Sequence, residues 1–416
     1  MDKEKIILDY IDEHQDELYQ LLSDILKIDT QNYNSHGLEL PGQEFLLDYC
    51  KKRGYDAEMY NLTDVPGFTE HSDYLPNRSA DKRPNVAVTF KGEDNTKRIM
   101  MAAHMDTVLI GDESRWSVGA LSGAIKDGKI YGRGAGDDKA GIAAALFAAL
   151  AFKECGITPP VEVNVTSYTD EEGGGGNGAL ASCLKHPSDV YINLDAAHLE
   201  VWPWTIGGIC AEAVVKRNEL SSSSQDVFDS LNVVVQHLKV LGKKMYDQMG
   251  KTVYKGSEEQ HDALRLEHVK IDGSVHEIGK LTFGLYSLSS REEIEAEFEQ
   301  MKISINKEIE QYNCTFDGFK PITRYFHPLI SDSITAEAKA FGDALEEITG
   351  KPTTYAGGCM SDLSLYGKFG GGVAFNSGIF RKFHEYGGAH QIDEYVECEQ
   401  LLALTKALAL FVARYK

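Results

Sequence analysis

The 416-residue sequence predicts an α/β protein, a mixed-sheet domain interrupted by an inserted βαββαβ unit of ferredoxin-like topology. Three observations predict it. Up to about residue 200, short apolar runs that end in polar residues alternate with helical stretches. The order then changes to strand, helix, strand, strand, helix, strand. From Pro328 onward the helix–strand alternation resumes. The boundaries that follow are 1–204 for the first part of the main domain, 205–323 for the insertion and 324–416 for the second part.

Taken in order, residues 3–27 read as one amphipathic helix, with Ile7, Ile11, Leu18, Leu22 and Ile25 at helical spacing. Pro41 to Gly54 reads as a second, ended by its glycine. Residues 63–84 are rich in Pro, Gly, Asn and Asp and read as a loop. Asn85–Phe90 and Arg98–Ala103 read as strands. The second is a short apolar run, as a strand buried on both faces requires, and it stops at His104-Met105-Asp106. The glycine-rich stretch Tyr131–Lys139 opens an apolar helix. Its most apolar run, Ala140–Phe152, is 13 residues long, whereas a membrane span takes about 20. Val161–Tyr168 alternates valine with polar residues and stops at Thr169-Asp170-Glu171-Glu172, and Val190–Leu194 stops at Asp195. Each polar cluster therefore closes a strand, which is where ligands sit in open α/β sheets. Within the insertion, 206–217 reads as a strand, 221–249 as a helix, 264–288 as two strands, 290–312 as a helix and 313–319 as a last strand. A helix at 397–414 ends the chain.

Acidic residues number 64 against 42 basic, a net charge of −22. Such a surface repels nucleic-acid phosphates and anionic lipid, so neither a nucleic acid nor a membrane is expected as partner. The N-terminus carries acids where a signal peptide would carry a basic start. The seven cysteines are scattered, odd in number and contain no CxxC, which fits a reducing cytoplasm.

Seven residues could carry chemistry: His104, Asp106, Asp137, Glu171, Glu172, Asp195 and His390. Imidazole and carboxylate ligands suit zinc, cobalt or manganese. Two ions sharing one carboxylate, with open positions for water and substrate, need about five protein ligands, and this set supplies them. In a strand, residues i and i+2 point the same way, so the Asp106 carboxylate could reach His104 and fix its tautomer. Asp137 stands at a glycine-rich turn and could lie between two metals. The same glycines would admit a phosphate, but acids sit where the phosphate would lie, and neither GxxxxGK[ST] nor GxGxxG is present. Glu171 and Glu172 are adjacent and point apart, so one can bind metal while the other acts as general base on the metal-bound water. Asp195 could equally cap the following segment. His390 gains weight only from the ordered series before it.

The motifs His104-x-Asp106, Gly132-Arg133-Gly134-x-x-Asp137-x-Lys139, Asp170-Glu171-Glu172 and Ala389-His390-x-x-Asp393-Glu394 occur in order. With them the chain resembles the di-zinc peptidase and amidohydrolase family that includes acetylornithine deacetylase, succinyl-diaminopimelate desuccinylase, carnosinase, peptidase T and bacterial glutamate carboxypeptidase. Gly357-Gly358 followed by Asp362 matches a further family segment. Phe375-Asn376-Ser377-Gly378 sits where the family has a glycine-rich, substrate-contacting loop.

The resemblance implies a zinc-peptidase catalytic domain whose insertion is a lid and dimerisation domain. It also implies two divalent ions, most commonly zinc, with cobalt or manganese possible. His104 and Asp195 would hold one ion and Glu172 and His390 the other. Asp137 would bridge both, Asp106 would support His104, and Glu171 would be the general base acting on a metal-bridging water. The expected substrate is a small peptide or N-acylated amino acid, cleaved at an amide bond. The resemblance further implies a non-proline cis peptide after Asp137. The alternative is a catalytically weak, metal-holding binding or regulatory protein on the same fold.

Two features depart from the family. Its small domain usually offers a His after the first strand, and Glu212–Ser224 contains none. The usual D-x-R near the third strand is missing, because 284–288 read Gly-Leu-Tyr-Ser-Leu. His261, His268 and His276 are the other histidines that could stand in. Arg324, Arg381 and Lys382 are candidate anion contacts or simply surface charge.

Overall fold

The computed structural model describes residues 3–218, 225–272 and 278–416. They fall into two compact units, Met1–Pro203 with Ser331–Lys416, and Trp204–Ile330.

The first unit begins with α1 (Lys3–Glu13) and α2 (Gln15–Leu26). The single helix expected here is broken at His14, whose backbone leaves the helical region at φ −112°, ψ 21°. The His14 ring turns back instead to the Tyr10 carbonyl, 2.8 Å away. Both halves still bury their apolar faces, Ile7 and Ile11 in one, Leu18, Leu22 and Ile25 in the other. Next come α3 (Leu40–Lys52), β1 (Asp56–Tyr60), β2 (Asn85–Phe90), β3 (Asp94–His104) and the small hairpin β4 (Ala124–Lys126) and β5 (Lys129–Tyr131). Then follow α4 (Ala140–Glu154), β6 (Val161–Tyr168), α5 (Asn177–Lys185), β7 (Val190–Asn193) and β8 (Val201–Thr205).

The second unit runs β9 (Gly207–Arg217), α6 (Gln225–Met249), a short turn of helix α7 (Glu258–His261), β10 (Leu264–Asp272), β11 (Ile278–Ser287), α8 (Arg291–Ile309) and β12 (Cys314–Pro321). Its four strands are antiparallel in the order β10-β11-β9-β12. Together with α6 and α8 they form the expected ferredoxin-like βαββαβ pattern. Val227, Leu231, Val234 and Leu238 of α6 and Ile294, Phe298, Met301 and Ile305 of α8 are buried. A capping box starts α8, with Ser290 Oγ accepting from the Glu293 amide at 3.2 Å and Glu293 Oε2 accepting from the Ser290 amide at 2.7 Å. The expected start of α6 at Ser221 lies outside the described residues.

The chain returns to the first unit with α9 (Ala336–Thr349), β13 (Tyr355–Gly358), α10 (Leu363–Phe369), β14 (Val373–Ser377), β15 (Tyr395–Glu397) and α11 (Cys398–Arg414). Its main sheet has eight strands in the order β1-β2-β6-β3-β7-β14-β8-β13. The central four, β6, β3, β7 and β14, are parallel, and β1, β2 and β8 add antiparallel pairs. The sheet is therefore mixed, with the carboxyl ends of its parallel strands along one edge.

The two-residue period of a strand divides these central strands between two faces. Ile99, Met101, Ala103, Val163, Val165, Ile192 and Leu194 enter the main core with α4 and α11. The alternate set is more polar: Asn164, Thr166 and Tyr168 in β6, Ala102 and His104 in β3, Tyr191 and Asn193 in β7. It is satisfied internally, for example by the Tyr168 hydroxyl donating to Asn193 Oδ1 at 3.0 Å. His104 ends β3 in this register, and Asp195, two residues after Asn193, continues it. No described helix is long and apolar enough to cross a membrane, and all seven cysteines are free thiols.

His186, at the end of α5, offers a test of this packing. Burial pushes its imidazole down to about 4 from an ordinary 6.5, although Glu58 lies 3.3 Å away. A depressed imidazole contributes stability above 6.5 that is lost as pH falls toward 4, because the unfolded chain takes up the proton first. Denaturation of wild type and His186→Gln across that interval should show the wild type losing more stability, by at most about 3 kcal/mol. Parallel curves would contradict this.

Candidate metal centre

The site lies where the parallel strands end. His104 is the last residue of β3, Glu171 and Glu172 follow β6, and Asp195 follows β7. Asp137 sits in the tight turn that leads into α4, and the Asp137–Asp138 peptide is cis, as the resemblance implies. His390 belongs to the segment between β14 and β15 and has φ +62°.

Ligand atoms of His104, Asp137 and Glu172 lie within 4.8 Å of one another, and all three residues are buried. The two oxygens of Asp137 are divided between two imidazoles: Oδ1 is 2.9 Å from His104 Nε2, and Oδ2 is 3.2 Å from His390 Nε2. His390 Nε2 is also 3.1 Å from Glu172 Oε2. The other oxygen of Glu172, Oε1, accepts the Val108 amide at 3.1 Å. Asp195 is outside this tight group, yet near enough for Asp137 and Glu172 to act on its ionisation.

The electrostatics are those of carboxylates crowded around two imidazoles. Burial, aided by Asp137 and Glu172, raises Asp195 to about 7. Burial also pushes Glu171 and Asp138 well above the carboxylate range, with Asp362 and Asp195 adding to the effect on Glu171. Burial disfavours charge on His104, and crowding does so to a lesser degree on His390, whose side chain is 38% exposed, but the acids outweigh it at both. His104 is held well above its ordinary range by Asp137, Glu171 and Asp106, and His390 is pushed up to about 11 by Glu172 and Asp137. Both Nε2 atoms face carboxylate oxygens at 2.9–3.2 Å, an arrangement in which divalent cations would satisfy the same oxygens. Nitrogen and oxygen donors of this kind fit zinc or a similar divalent ion.

The Asp106 carboxylate is not where the HxD spacing suggests. His104 Nδ1 meets the backbone carbonyl of Asp106 at 2.8 Å, while the carboxylate stands 3.7 Å away. That contact assigns the Nδ1 proton and leaves Nε2 facing Asp137. The carboxylate instead accepts the amides of Glu171 and Glu172 at 3.1 and 2.9 Å and Asn32 Nδ2 at 2.7 Å. It therefore holds the segment that carries two of the acids.

Sequence reasoning missed the rest of this support. Arg78 Nη2 donates to the Glu172 carbonyl at 2.7 Å and its Nε to Asp170 at 2.7 Å. Arg83 pairs with Asp170 at 2.9 Å and with Glu39 at 2.5 Å. Asp170 thus anchors two buried guanidinium groups from a segment read only as loop. Nothing in the composition of 63–84 marks these two arginines apart from others in the chain.

Phe375-Asn376-Ser377 ends buried strand β14 where the resemblance implies a loop, and Gly378 follows it. Asn376 Nδ2 donates to the Asp195 carbonyl at 2.8 Å. At Gly378 a Cβ would stand 2.5 Å from the Leu194 carbonyl oxygen, so this backbone approach needs glycine. Asp362 is buried and bears on Glu171 and Asp195. Arg324 is buried with its guanidinium 4.0 Å from the Phe326 ring centroid, so it is not surface charge. Lys382 pairs with Glu200 at 3.4 Å, and Arg381 lies 3.5 Å from Glu385. His261 and His268 are exposed in the second unit, and His276 lies outside the described residues.

The profile of peptidase family M20/M25/M40 matches residues 100–414. Among curated proteins, an uncharacterised metallohydrolase of Methanocaldococcus jannaschii is 32% identical over 161 residues, 38% of this chain and 37% of the relative. A succinyl-diaminopimelate desuccinylase of a Bradyrhizobium strain is 45% identical over 120 residues, 29% of this chain and 31% of the relative. The chain thus aligns with about a third of the length of these two relatives. Among solved structures, the di-peptidase Dug1p from Saccharomyces cerevisiae superposes with a TM-score of 0.74 at 14% identity, covering 99% of this chain and 98% of that one. At that identity the likeness speaks for the fold.

Proposed function

The chain belongs to peptidase family M20/M25/M40, and from that premise we propose that it is a metallohydrolase that cleaves an amide bond in a small peptide or N-acylated amino acid at a pair of divalent ions. The observation that carries this reading is Asp137, whose two oxygens face two different imidazoles, as a carboxylate shared by two ions must. In this reading His104 and Asp195 would hold one ion and Glu172 and His390 the other, with Asp137 shared between them; zinc would suit these donors best, with cobalt or manganese as substitutes. Such a pair supplies Lewis-acid polarisation of the scissile carbonyl and lowers the pKa of a water from 15.7 toward about 7.

Glu171 is the general base. Its carboxylate takes the proton of the attacking water and returns it to the leaving nitrogen. Burial and the neighbouring acids raise its affinity for that proton. Asp106, through the Glu171 and Glu172 amides, keeps the base and the ligand on their separate sides.

Turnover of a panel of dipeptides and N-acyl amino acids, with added zinc or cobalt and quantified metal, tests the reading. Turnover abolished by a chelator supports it. Tight metal binding without turnover of any member would favour a metal-holding regulatory protein, the reading motivated by the absence of a His in Glu212–Ser224. We place the protein in the cytoplasm. We also assign pairing of two copies to the inserted domain, whose edge strand β10 exposes Leu266 and Val269.

A further inference from the structure

We propose that Glu394 is a positioning residue that locks together the two segments carrying Asp137 and His390. The inference rests on the reading of Asp137 as the shared ligand and goes beyond it, because Glu394 itself touches no ion.

Four donors converge on its buried carboxylate. Oε2 accepts Arg133 Nη1 at 2.6 Å and the Gly134 amide at 3.1 Å, and Oε1 accepts the Gly136 amide at 2.9 Å and the Asp137 amide at 3.2 Å. One carboxylate thus gathers three backbone amides of the turn that presents Asp137. Glu394 lies four residues beyond His390, on the same segment. Two more bonds tie that segment to the turn: the Gly132 amide donates to the Glu394 carbonyl at 3.0 Å, and Arg133 Nη2 reaches the His390 carbonyl at 3.4 Å.

The chemistry of the acceptor matters. A carboxylate offers lone pairs on both oxygens and no donor, so it can take amides on both sides at once. Glutamine keeps the shape but turns an NH2 toward one pair of donors, leaving at least one buried backbone N–H opposed. Aspartate keeps both acceptors but is one methylene short. Arg133 supplies the compensating charge, yet it contributes one donor among four. The three amides, not the ion pair, carry the connection to Asp137.

The test uses the full chain as Glu394→Gln, Glu394→Asp and Arg133→Lys variants, each first checked for cooperative unfolding. Hydrogen exchange is measured over residues 132–139 and 386–394 in the metal-free protein, and Co(II) affinity by titration of its visible absorption. For Glu394→Gln the expectation is faster exchange confined to these two segments and a 10–100-fold loss of Co(II) affinity, the range found for groups that orient metal ligands. Arg133→Lys should change both less than Glu394→Gln does. If Glu394→Gln fails to fold, Glu394→Asp is expected to show the same pattern in weaker form. Folded Glu394→Gln or Glu394→Asp protein with wild-type exchange and affinity would overturn the proposal. So would Arg133→Lys matching Glu394→Gln, since the ion pair would then carry the effect. Failure of the wild type to bind Co(II) would instead strike the metal reading itself.

Discussion

Glu171→Gln is expected to lower kcat by about 10²–10⁴-fold while zinc stoichiometry, zinc affinity and melting temperature stay near wild type. The substitution is isosteric and removes one ability, that of taking and returning a proton. Glu171 makes its backbone bond to Asp106 Oδ1 at 3.1 Å through its amide, so that anchor survives the change. It lies outside the close trio of His104, Asp137 and Glu172, so the ions should remain. KM is expected to change little, because the loss falls on the transition state and not on substrate binding. Steady-state kinetics paired with metal analysis on one preparation separate these effects. Near-wild-type turnover would remove Glu171 from the role assigned to it.

Asp137→Ala is expected to abolish turnover and the stabilisation that zinc confers. Both of its oxygens are committed, to His104 at 2.9 Å and to His390 at 3.2 Å, so its loss should weaken both ion sites at once. An ion that binds only the folded chain stabilises it by about 4 kcal/mol at a thousand times its dissociation constant. The wild type should therefore show a rise in melting temperature that grows with free zinc, and Asp137→Ala should show little or none. A variant still strongly stabilised by zinc would mean that the ions are held elsewhere.

Much of this site is legible in the sequence because strands end where apolar runs end. Ile99 to Ala103 stops at His104, and Val190 to Leu194 stops at Asp195, so the ends of the apolar runs alone put both at the ligand-binding ends of strands. The ferredoxin-like order of the second unit is legible for the same reason, each element having its own period. What escapes is whatever depends on contacts between distant segments. The destination of the Asp106 carboxylate is set by where the Glu171 and Glu172 amides arrive from a neighbouring strand, which spacing along one strand does not reveal. Arg78, Arg83 and Asn32 support the acids from regions with no motif. Phe375–Ser377 escapes as strand because the family resemblance implies a glycine-rich loop at these residues, whereas Gly378 is there to let two backbones approach. The break at His14 escapes because helical spacing continues smoothly across it.

The proposed centre depends on two ions held by residues that five separate segments bring together: the end of β3, the turn before α4, the ends of β6 and β7, and the segment between β14 and β15. Elemental analysis of purified chain equilibrated with zinc and freed of excess tests this most directly. Two zinc per chain in the wild type, falling in Asp137→Ala but not in Glu171→Gln, is the result expected. One zinc or none at saturation, or two that persist in Asp137→Ala, would contradict it.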